Sequence, residues 1–380
     1  MATGLSLSFV TATSAQVFTF TEIARTNDAD FSAFGETALN DLGQVAFSAD
    51  VAGENGIFVG AGGMVSPLIA PSAGFSIDSL DFNNVGEIVF SQGSVPGVFK
   101  TSGGVTTSVI TGASSLGDVG FAAEAFFFPK INDAGAIAFE AVNFGGDSDQ
   151  GLYLVEGGAI SVIAESPDFD IFRFDLNNNN QVAFASLSSL APDGDGIFIS
   201  EGGAAPTVLP DPLGFGTVEG PTLNDSGTVA FDVLFNNAEG DPVQGIFTQN
   251  GESLELIVDD SGELMGLGRP AVNNKGAVAF TAGFDAGGSA LFSATASSMT
   301  RVIGTGDRLF GQLVTSAGLT QQTGLNNEGQ IVFTASFADG SQGIFRADPE
   351  GSPVQSVPEP TSLIGLLAVS VAMFSRLKRS

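Results

Sequence analysis

The stretch 40–47, Asn-Asp-Leu-Gly-Gln-Val-Ala-Phe, decides the fold because variants of it recur along the chain. The pattern Asn-x-x-Gly-x-(Val/Ile)-(Ala/Val)-Phe occurs seven times, once with Asn in place of Gly, at intervals of 43, 49, 45, 47, 49 and 53 residues. Self-similarity at this period indicates an architecture built from repeated supersecondary units. The first and fourth positions of the seven copies are Asn40 and Gly43, Asn83 and Gly86, Asn132 and Gly135, Asn177 and Asn180, Asn224 and Gly227, Asn273 and Gly276, and Asn326 and Gly329.

The polar start of each copy predicts a tight turn. Asn at the first position and Gly at the fourth fit a type I turn followed by a residue with positive φ, which Gly adopts without a Cβ penalty. In the fourth copy Asn180 replaces the Gly, and Asn is the next most tolerant residue in left-handed geometry. We therefore interpret the Asn and Gly positions as structural.

The apolar end of each copy predicts a buried strand. Runs such as Val45–Phe47 are apolar on both faces, which indicates a sheet covered on both sides. A second aromatic strand, an aliphatic run and a looser apolar segment follow in most copies, which makes four strands per repeat. Four-stranded sheets stacked around an axis satisfy this pattern, so we predict an all-β, seven-bladed β-propeller. A β-solenoid or another stacked array is the alternative.

The two ends of the repeat region predict a closed ring. The seventh repeat has a strand at Phe345 but no clear fourth strand after it, whereas the N-terminal segment 17–24 is a surplus strand. We predict that this segment pairs with the strand around 343–346, which would remove two free sheet edges.

Composition restricts the chemistry of the chain. It has no Cys, His or Trp, which excludes disulfides, Cys or His zinc sites and Ser-His or Cys-His catalysis. Up to Gln355 there are nine basic and 41 acidic residues, a formal charge of −32. Such a surface repels nucleic acid and attracts cations, so Ca²⁺ is a candidate ligand although no cofactor is required.

Acidic loops are the remaining candidate sites. Asp193 and Asp195 are weak candidates for a Ca²⁺ site, since Asp-x-Asp places two carboxylates on one side of an extended loop. A pair of carboxylates could also hydrolyse glycosides, but no particular pair stands out. Acids gathered at the central pore would favour an enzyme, and acids scattered round the rim would favour a structural protein.

The last 24 residues have a character of their own. A Pro-Glu-Pro motif is followed by an uncharged run, 361–375, and then by a basic end. As a helix, 15 residues span about 22 Å, which is short for a bilayer but tolerable with local thinning. The basic end predicts a cytoplasmic terminus with the body outside. The motif is Pro358, Glu359 and Pro360, and the basic residues are Arg376, Lys378 and Arg379.

This segment resembles the PEP-CTERM sorting signal. The resemblance implies an exported bacterial protein that is anchored transiently and processed by exosortase, a membrane peptidase. The repeats themselves resemble a family of surface-anchored tandem-repeat proteins named for Asn-x-x-Gly-x-x-Ala-Phe, and that resemblance implies export without implying an activity.

These observations predict four segments: a possible signal-peptide remnant (1–15), the propeller (16–346), a linker (347–356) and a sorting tail with a short hydrophobic helix (357–380). The predicted function is a non-enzymatic structural or adhesive role at the cell surface or in the extracellular matrix, with polysaccharide as a possible partner. The alternatives are a secreted carboxylate-dependent glycan hydrolase or lyase and a Ca²⁺-dependent lectin-like module.

Overall fold

The structure is a computed structural model that describes residues 17–26, 31–111, 125–143, 149–166, 168–188, 195–215, 218–237, 240–319 and 323–350. Within these ranges the chain forms seven antiparallel sheets arranged as a propeller, which confirms the predicted fold. The part of the chain that is described contains no helix long and apolar enough to cross a membrane. The predicted sorting tail and its helix lie outside the described residues.

Each of the first five blades consists of four strands in chain order. Blade 1 contains β2 (Phe31–Leu39), β3 (Val45–Val51), β4 (Glu54–Gly60) and β5 (Val65–Ser72); blade 2 contains β6 (Ser79–Phe82), β7 (Ile88–Gln92), β8 (Gly97–Ser102) and β9 (Val105–Thr111); blade 3 contains β10 (Ala125–Ile131), β11 (Ile137–Asn143), β12 (Asp149–Glu156) and β13 (Ala159–Glu165); blade 4 contains β14 (Phe169–Leu176), β15 (Gln181–Ser188), β16 (Asp195–Glu201) and β17 (Thr207–Val208); blade 5 contains β18 (Val218–Leu223), β19 (Val229–Asn236), β20 (Pro242–Asn250) and β21 (Ser253–Asp259).

The last two blades depart from this plan. In blade 6 the inner edge is divided into two short strands, whereas blade 7 takes one strand from the other end of the chain. Blade 6 contains β22 (Leu264–Met265), β23 (Ala271–Val272), β24 (Val278–Phe284), β25 (Ser289–Thr295) and β26 (Ser298–Gly304); blade 7 contains β27 (Arg308–Leu309), β28 (Gln312–Leu319), β29 (Ile331–Phe337), β30 (Gln342–Pro349) and the N-terminal β1 (Phe18–Arg25).

The N-terminal strand closes the ring. β1 pairs antiparallel with β30, from Phe18 opposite Pro349 to Arg25 opposite Gly343, so the predicted closure is confirmed. Because β30 continues to Pro349, the blade extends three residues into the segment predicted as linker. The pairing gives both edge strands a partner, and exposed edges would otherwise be templates for aggregation.

The repeat motif forms the turn that precedes the buried strand β3, β7, β11, β15, β19, β24 or β29 of its blade. In the first copy the Gly43 N–H donates to the Asn40 carbonyl oxygen at 3.0 Å, and Gly43 has a φ of 71°. Asn180, which stands in for the Gly, has a φ of 60°. The turn therefore requires a residue that tolerates left-handed backbone at its fourth position.

The core of each blade contains one aromatic pair, formed between the strand that follows the repeat turn and the next strand along the chain. The rings are directly opposite across the strands, stacked at centroid distances of 5.4–6.0 Å and interplanar angles of 15–29°. Such pairs add about 0.5–1.5 kcal/mol each beyond the burial of their area. The pairs are Phe47–Phe58, Phe90–Phe99, Phe139–Tyr153, Phe184–Phe198, Phe231–Phe247, Phe280–Phe292 and Phe333–Phe345.

Candidate functional site in the central channel

The seven motif asparagines form a closed ring around the central channel. Each side-chain amide donates from Nδ2 to the backbone carbonyl oxygen of the corresponding Asn in the next blade, and the seventh donates back to the first. The distances are 3.3 Å for Asn40 to Asn83, 3.0 Å for Asn83 to Asn132, 3.1 Å for Asn132 to Asn177, 3.0 Å for Asn177 to Asn224, 3.0 Å for Asn224 to Asn273, 3.0 Å for Asn273 to Asn326 and 2.9 Å for Asn326 to Asn40.

The other side-chain atom of each asparagine is used within its own turn. In blade 6 the Asn273 Oδ1 accepts the N–H groups of Lys275 and Ala277, both at 3.0 Å. One buried side chain thus shapes the turn and joins two blades. Because net contributions of about 1 kcal/mol per hydrogen bond add up over seven blades, this ring is a main source of stability at the channel.

The residue after each asparagine forms a second closed ring, which the sequence analysis did not single out. Its backbone N–H donates to the side-chain Oδ1 of the equivalent residue in the next blade, at distances of 2.7–2.9 Å. The sequence contains a signal for it, since all seven positions are Asp or Asn. They are Asp41, Asn84, Asp133, Asn178, Asp225, Asn274 and Asn327.

The two rings surround a cavity of about 150 Å³. The oxygens that face it are committed to hydrogen bonds between blades; the Oδ2 atom of Asp41, for example, accepts from both Asn84 and Asn327 at 2.9 Å. No group of three or more acidic side chains that could hold a metal occurs among the described residues. Asp193 and the side chain of Asp195, the predicted metal candidates, lie outside them.

Two residues before each motif Asn, the seven blades differ from one another. Blades 2 to 4 carry Asp81, Lys130 and Asp175 at this position. We call these three residues the charged arc, since the charges of Asp81 and Lys130 both act on the Asp175 carboxyl. Asp81 and Lys130 are buried, with 9% and 6% of their surface exposed. The remaining blades have Thr222, Ala271, Gly324 and Ala38 there.

The two carboxylates of the arc connect neighbouring blades. The Ile131 N–H donates to Asp81 Oδ2 at 2.9 Å, and the Leu223 N–H donates to Asp175 Oδ2 at 2.8 Å. Burial raises the pKa of Asp175 to about 6, although the Lys130 charge and the Leu223 N–H favour the ionised form. This carboxyl therefore changes its protonation state near pH 6.

A second cavity, of about 390 Å³, lies further from the asparagine ring along the inner strands. Its charged lining consists of Lys130, Arg173 and Glu36. The Arg173 guanidinium stacks 3.9 Å from the centre of the Phe128 ring. Burial raises the pKa of Glu36, and the Lys130 charge opposes that shift. We call this space the basic cavity, because it has two cationic side chains and one acidic side chain.

The wall of the basic cavity contains a strained residue. Phe128 has a φ of 50°, which a bulky residue adopts at a cost of about 1–3 kcal/mol. Its N–H donates to Ser79 Oγ at 3.2 Å, which fixes this geometry against blade 2. Strain of this kind is concentrated at binding and catalytic sites. Neither Phe128 nor the charged residues stand out in the sequence, because they belong to no repeated pattern.

Comparison with solved structures shows the fold alone. A prolyl endopeptidase matches at a TM-score of 0.53 and 14% identity, over 84% of this chain and 50% of that chain. Virginiamycin B lyase from Staphylococcus aureus matches at a TM-score of 0.48 and 12% identity, over 87% of this chain and 99% of that chain. YCF48 from Cyanidioschyzon merolae matches at a TM-score of 0.46 and 11% identity, over 87% of this chain and 99% of that chain.

Comparison by sequence identifies the family. No curated protein matches the chain. The model of a family of unknown function, DUF7453, matches residues 4–197 and, in an overlapping second alignment, residues 78–364. Two overlapping matches are expected for a chain of seven similar repeats, and together they span most of the sequence. The chain therefore belongs to the DUF7453 family.

Proposed function

We propose that this chain is an exported propeller that acts as a structural or adhesive module at the cell surface or in the extracellular matrix, where it binds polysaccharide. The observation that carries the proposal is the C-terminal segment 357–380, in which a Pro-Glu-Pro motif, an uncharged run and a basic end occur in the order of a sorting signal. An exosortase-type peptidase would process this segment after transient anchoring in the membrane.

The propeller body supports a module that persists outside the cell. Both channel rings close across the seam between blades 7 and 1, through Asn326 to Asn40 and Asn327 to Asp41. Arg346 adds a link across the same seam by donating to the Gly43 carbonyl oxygen. A ring held at every seam unfolds only when several blades separate together, which suits a matrix component. Its charge of −32 favours hydration and cation bridging.

Substitution of the motif in the full chain tests the sorting step. Changing Pro358, Glu359 and Pro360 together to Ala should leave uncleaved protein in the membrane fraction, whereas the wild-type protein should be processed and reach the surface. Pro353→Ala, upstream of the motif, is the matched control and should be processed normally. Cell fractionation and the mass of the mature chain are the readouts. Normal processing of the triple variant would contradict the proposed function.

A glycan hydrolase or lyase is the second candidate, and one observation favours it. Glu36, Asp81 and Asp175 lie along the channel, and the raised pKa of Asp175 keeps part of its population protonated near neutral pH, as a general acid requires. However, the hydrogen bonds of Asp81 and Asp175 to backbone N–H groups of the next blade give both carboxylates a structural role. Cleavage of a defined polysaccharide that is abolished by Asp175→Asn would establish the enzyme.

A further inference from the structure

The basic cavity contrasts with the charge of the whole molecule. The body has nine basic residues, and two of them, Lys130 and Arg173, line this one cavity. Lys130 is 6% exposed, and no ion pair among the described residues includes it. Burial of an ammonium is costly, and the carboxyls of Glu36 and Asp175 interact with the Lys130 charge without forming an ion pair with it. An anion that enters through the cavity would add the direct contact that these carboxyls do not make.

The neighbouring carboxylates leave the ammonium available. Asp81 and Asp175 flank Lys130 in the ring of blades, but each has an oxygen that accepts a backbone N–H of the next blade. Glu36 borders the cavity, where its carboxyl oxygens can accept hydrogen bonds from a ligand. The lining thus provides two cationic groups for an anion and one carboxylate for hydroxyl donors.

We infer that the basic cavity binds the carboxylate and hydroxyl groups of one uronic acid residue, either as the free sugar or at the end of an acidic polysaccharide. This inference rests on the proposed function, since it names the kind of polysaccharide that the propeller takes. The Lys130 ammonium and the Arg173 guanidinium bind the sugar carboxylate, and Glu36 accepts a sugar hydroxyl. A volume of about 390 Å³ accommodates one sugar ring.

The aromatic wall orients the sugar. The Phe128 ring holds the Arg173 guanidinium on its face, which fixes the fork of donors that recognises a carboxylate. The Thr37 and Ser79 residues add polar groups to the wall. Charge alone would favour any small anion, whereas charge combined with an acceptor carboxylate favours an anion that also carries hydroxyl groups.

Calorimetric titration of the full chain with D-galacturonate tests the inference. D-galactose controls for the carboxylate, and inorganic phosphate controls for charge alone. Galacturonate should bind at least tenfold more tightly than either control. Its trimer should bind at least as tightly as the monomer if the site takes chain ends, and more weakly if the site takes the free sugar. Equal affinity for galacturonate and galactose, or for galacturonate and phosphate, would overturn the inference.

Variants assign the binding to the cavity. Lys130→Met should weaken galacturonate binding by at least tenfold, whereas Lys275→Met, at a side chain that is 61% exposed and outside the cavity, should leave it unchanged. If Lys130→Met does not fold, Arg173→Gln provides the same test. Glu36→Gln keeps an oxygen that can accept the sugar hydroxyl and removes one negative charge, so it should bind galacturonate at least as tightly as the wild-type protein does. Unchanged affinity in folded Lys130→Met or Arg173→Gln would place binding elsewhere and overturn the inference.

Sedimentation of the same proteins with an insoluble acidic polysaccharide separates this inference from the proposed function. Wild-type protein that sediments with the polysaccharide but does not bind galacturonate would overturn the cavity site and leave the adhesive role intact. Wild-type protein that does neither would contradict both.

Discussion

The seven blades have nearly the same residues at one end of their inner strands and different residues further along these strands. At the asparagine end every blade repeats the same two side-chain types and the same hydrogen bonds to its neighbour. Two to four residues earlier the blades carry different residues, including Lys130, Asp175 and Arg173. The polar groups of the repeated end form the hydrogen bonds that close the ring. The divergent end has charged groups facing a cavity, and we therefore place ligand binding there.

Deletion of the N-terminal strand tests whether the hydrogen bonds of the asparagine end are sufficient to keep the propeller closed. Deleting residues 1–26 leaves β30 with an unpaired edge, although Asn326 can still donate to Asn40. We expect aggregation, seen as loss of the monomer peak in size-exclusion chromatography, because an exposed edge strand recruits other chains. Deletion of residues 1–16, which retains β1, is the control. A monodisperse 1–26 deletion would show that the rings suffice.

Substitution within the asparagine ring tests its contribution directly. Asn273→Ala removes the donor to the Asn326 carbonyl oxygen and the acceptor of the Lys275 and Ala277 N–H groups. Since buried backbone groups lose their partners, the free energy of unfolding in urea should fall by about 2–4 kcal/mol. Lys275→Ala, in the same turn, should change it by less than about 0.5 kcal/mol. If both variants lowered the free energy of unfolding by a similar amount, the asparagine ring would contribute no more to stability than an exposed side chain in the same turn.

The divergent end should show a pH dependence that the asparagine end lacks. Burial raises the pKa of Asp175 to about 6, so its contribution to stability is complete below about pH 4 and is lost as the pH rises through 6. Asp175→Asn keeps an oxygen for the Leu223 N–H and removes this loss. The stability advantage of Asp175→Asn over wild type should therefore grow between pH 4.5 and 7.5.

The size of this effect is limited by the partial exposure of Asp175 to solvent. A shift of two pKa units corresponds to about 3 kcal/mol in the free energy of unfolding. We expect the advantage of Asp175→Asn to grow by less than this amount. Urea unfolding at several pH values measures it, and Glu252→Gln, in an exposed hairpin turn, controls for the loss of one negative charge. An advantage that is independent of pH would mean that Asp175 is not the titrating group.

The smallest effect concerns the turn that begins the repeated end. Gly276 has a φ of 76° with open space where a Cβ would be. Ala at this position should cost about 1 kcal/mol through backbone strain alone. Gly262→Ala is the matched control, because that site is also open but its φ is not in the left-handed region. If thermal unfolding does not separate the two variants, the turn does not require left-handed geometry.

The sequence predicted the repeated end better than the divergent end, for a physical reason. A turn needs its residues at fixed local spacing, so Asn40 and Gly43 reveal it, and seven such turns count the blades. The closing strand was recognisable because an apolar segment lacked a partner within its own repeat. The extent of β30 to Pro349 was missed, because pairing with β1 carries the strand into Pro- and Gly-bearing sequence.

The basic cavity depends on contacts that local patterns do not encode. Lys130 and Arg173 come together because blades 3 and 4 are neighbours in the ring, although 43 residues separate them in the sequence. An alignment of the seven repeats contains a signal for Lys130, which lies two residues before Asn132. At the equivalent position four other repeats have Ala, Gly or Thr. Comparing the repeats for their differences, as well as for what they share, therefore identifies candidate sites.

A crystal structure of the full chain soaked with D-galacturonate tests most directly the claim that the repeated end closes the ring while the divergent end binds a ligand. The account predicts density for one sugar ring in the basic cavity, with its carboxylate between Lys130 and Arg173 and a hydroxyl near Glu36, and no displacement of the asparagine ring. Density at the asparagine mouth or on the outer surface, with the basic cavity holding only water at a saturating sugar concentration, would contradict it.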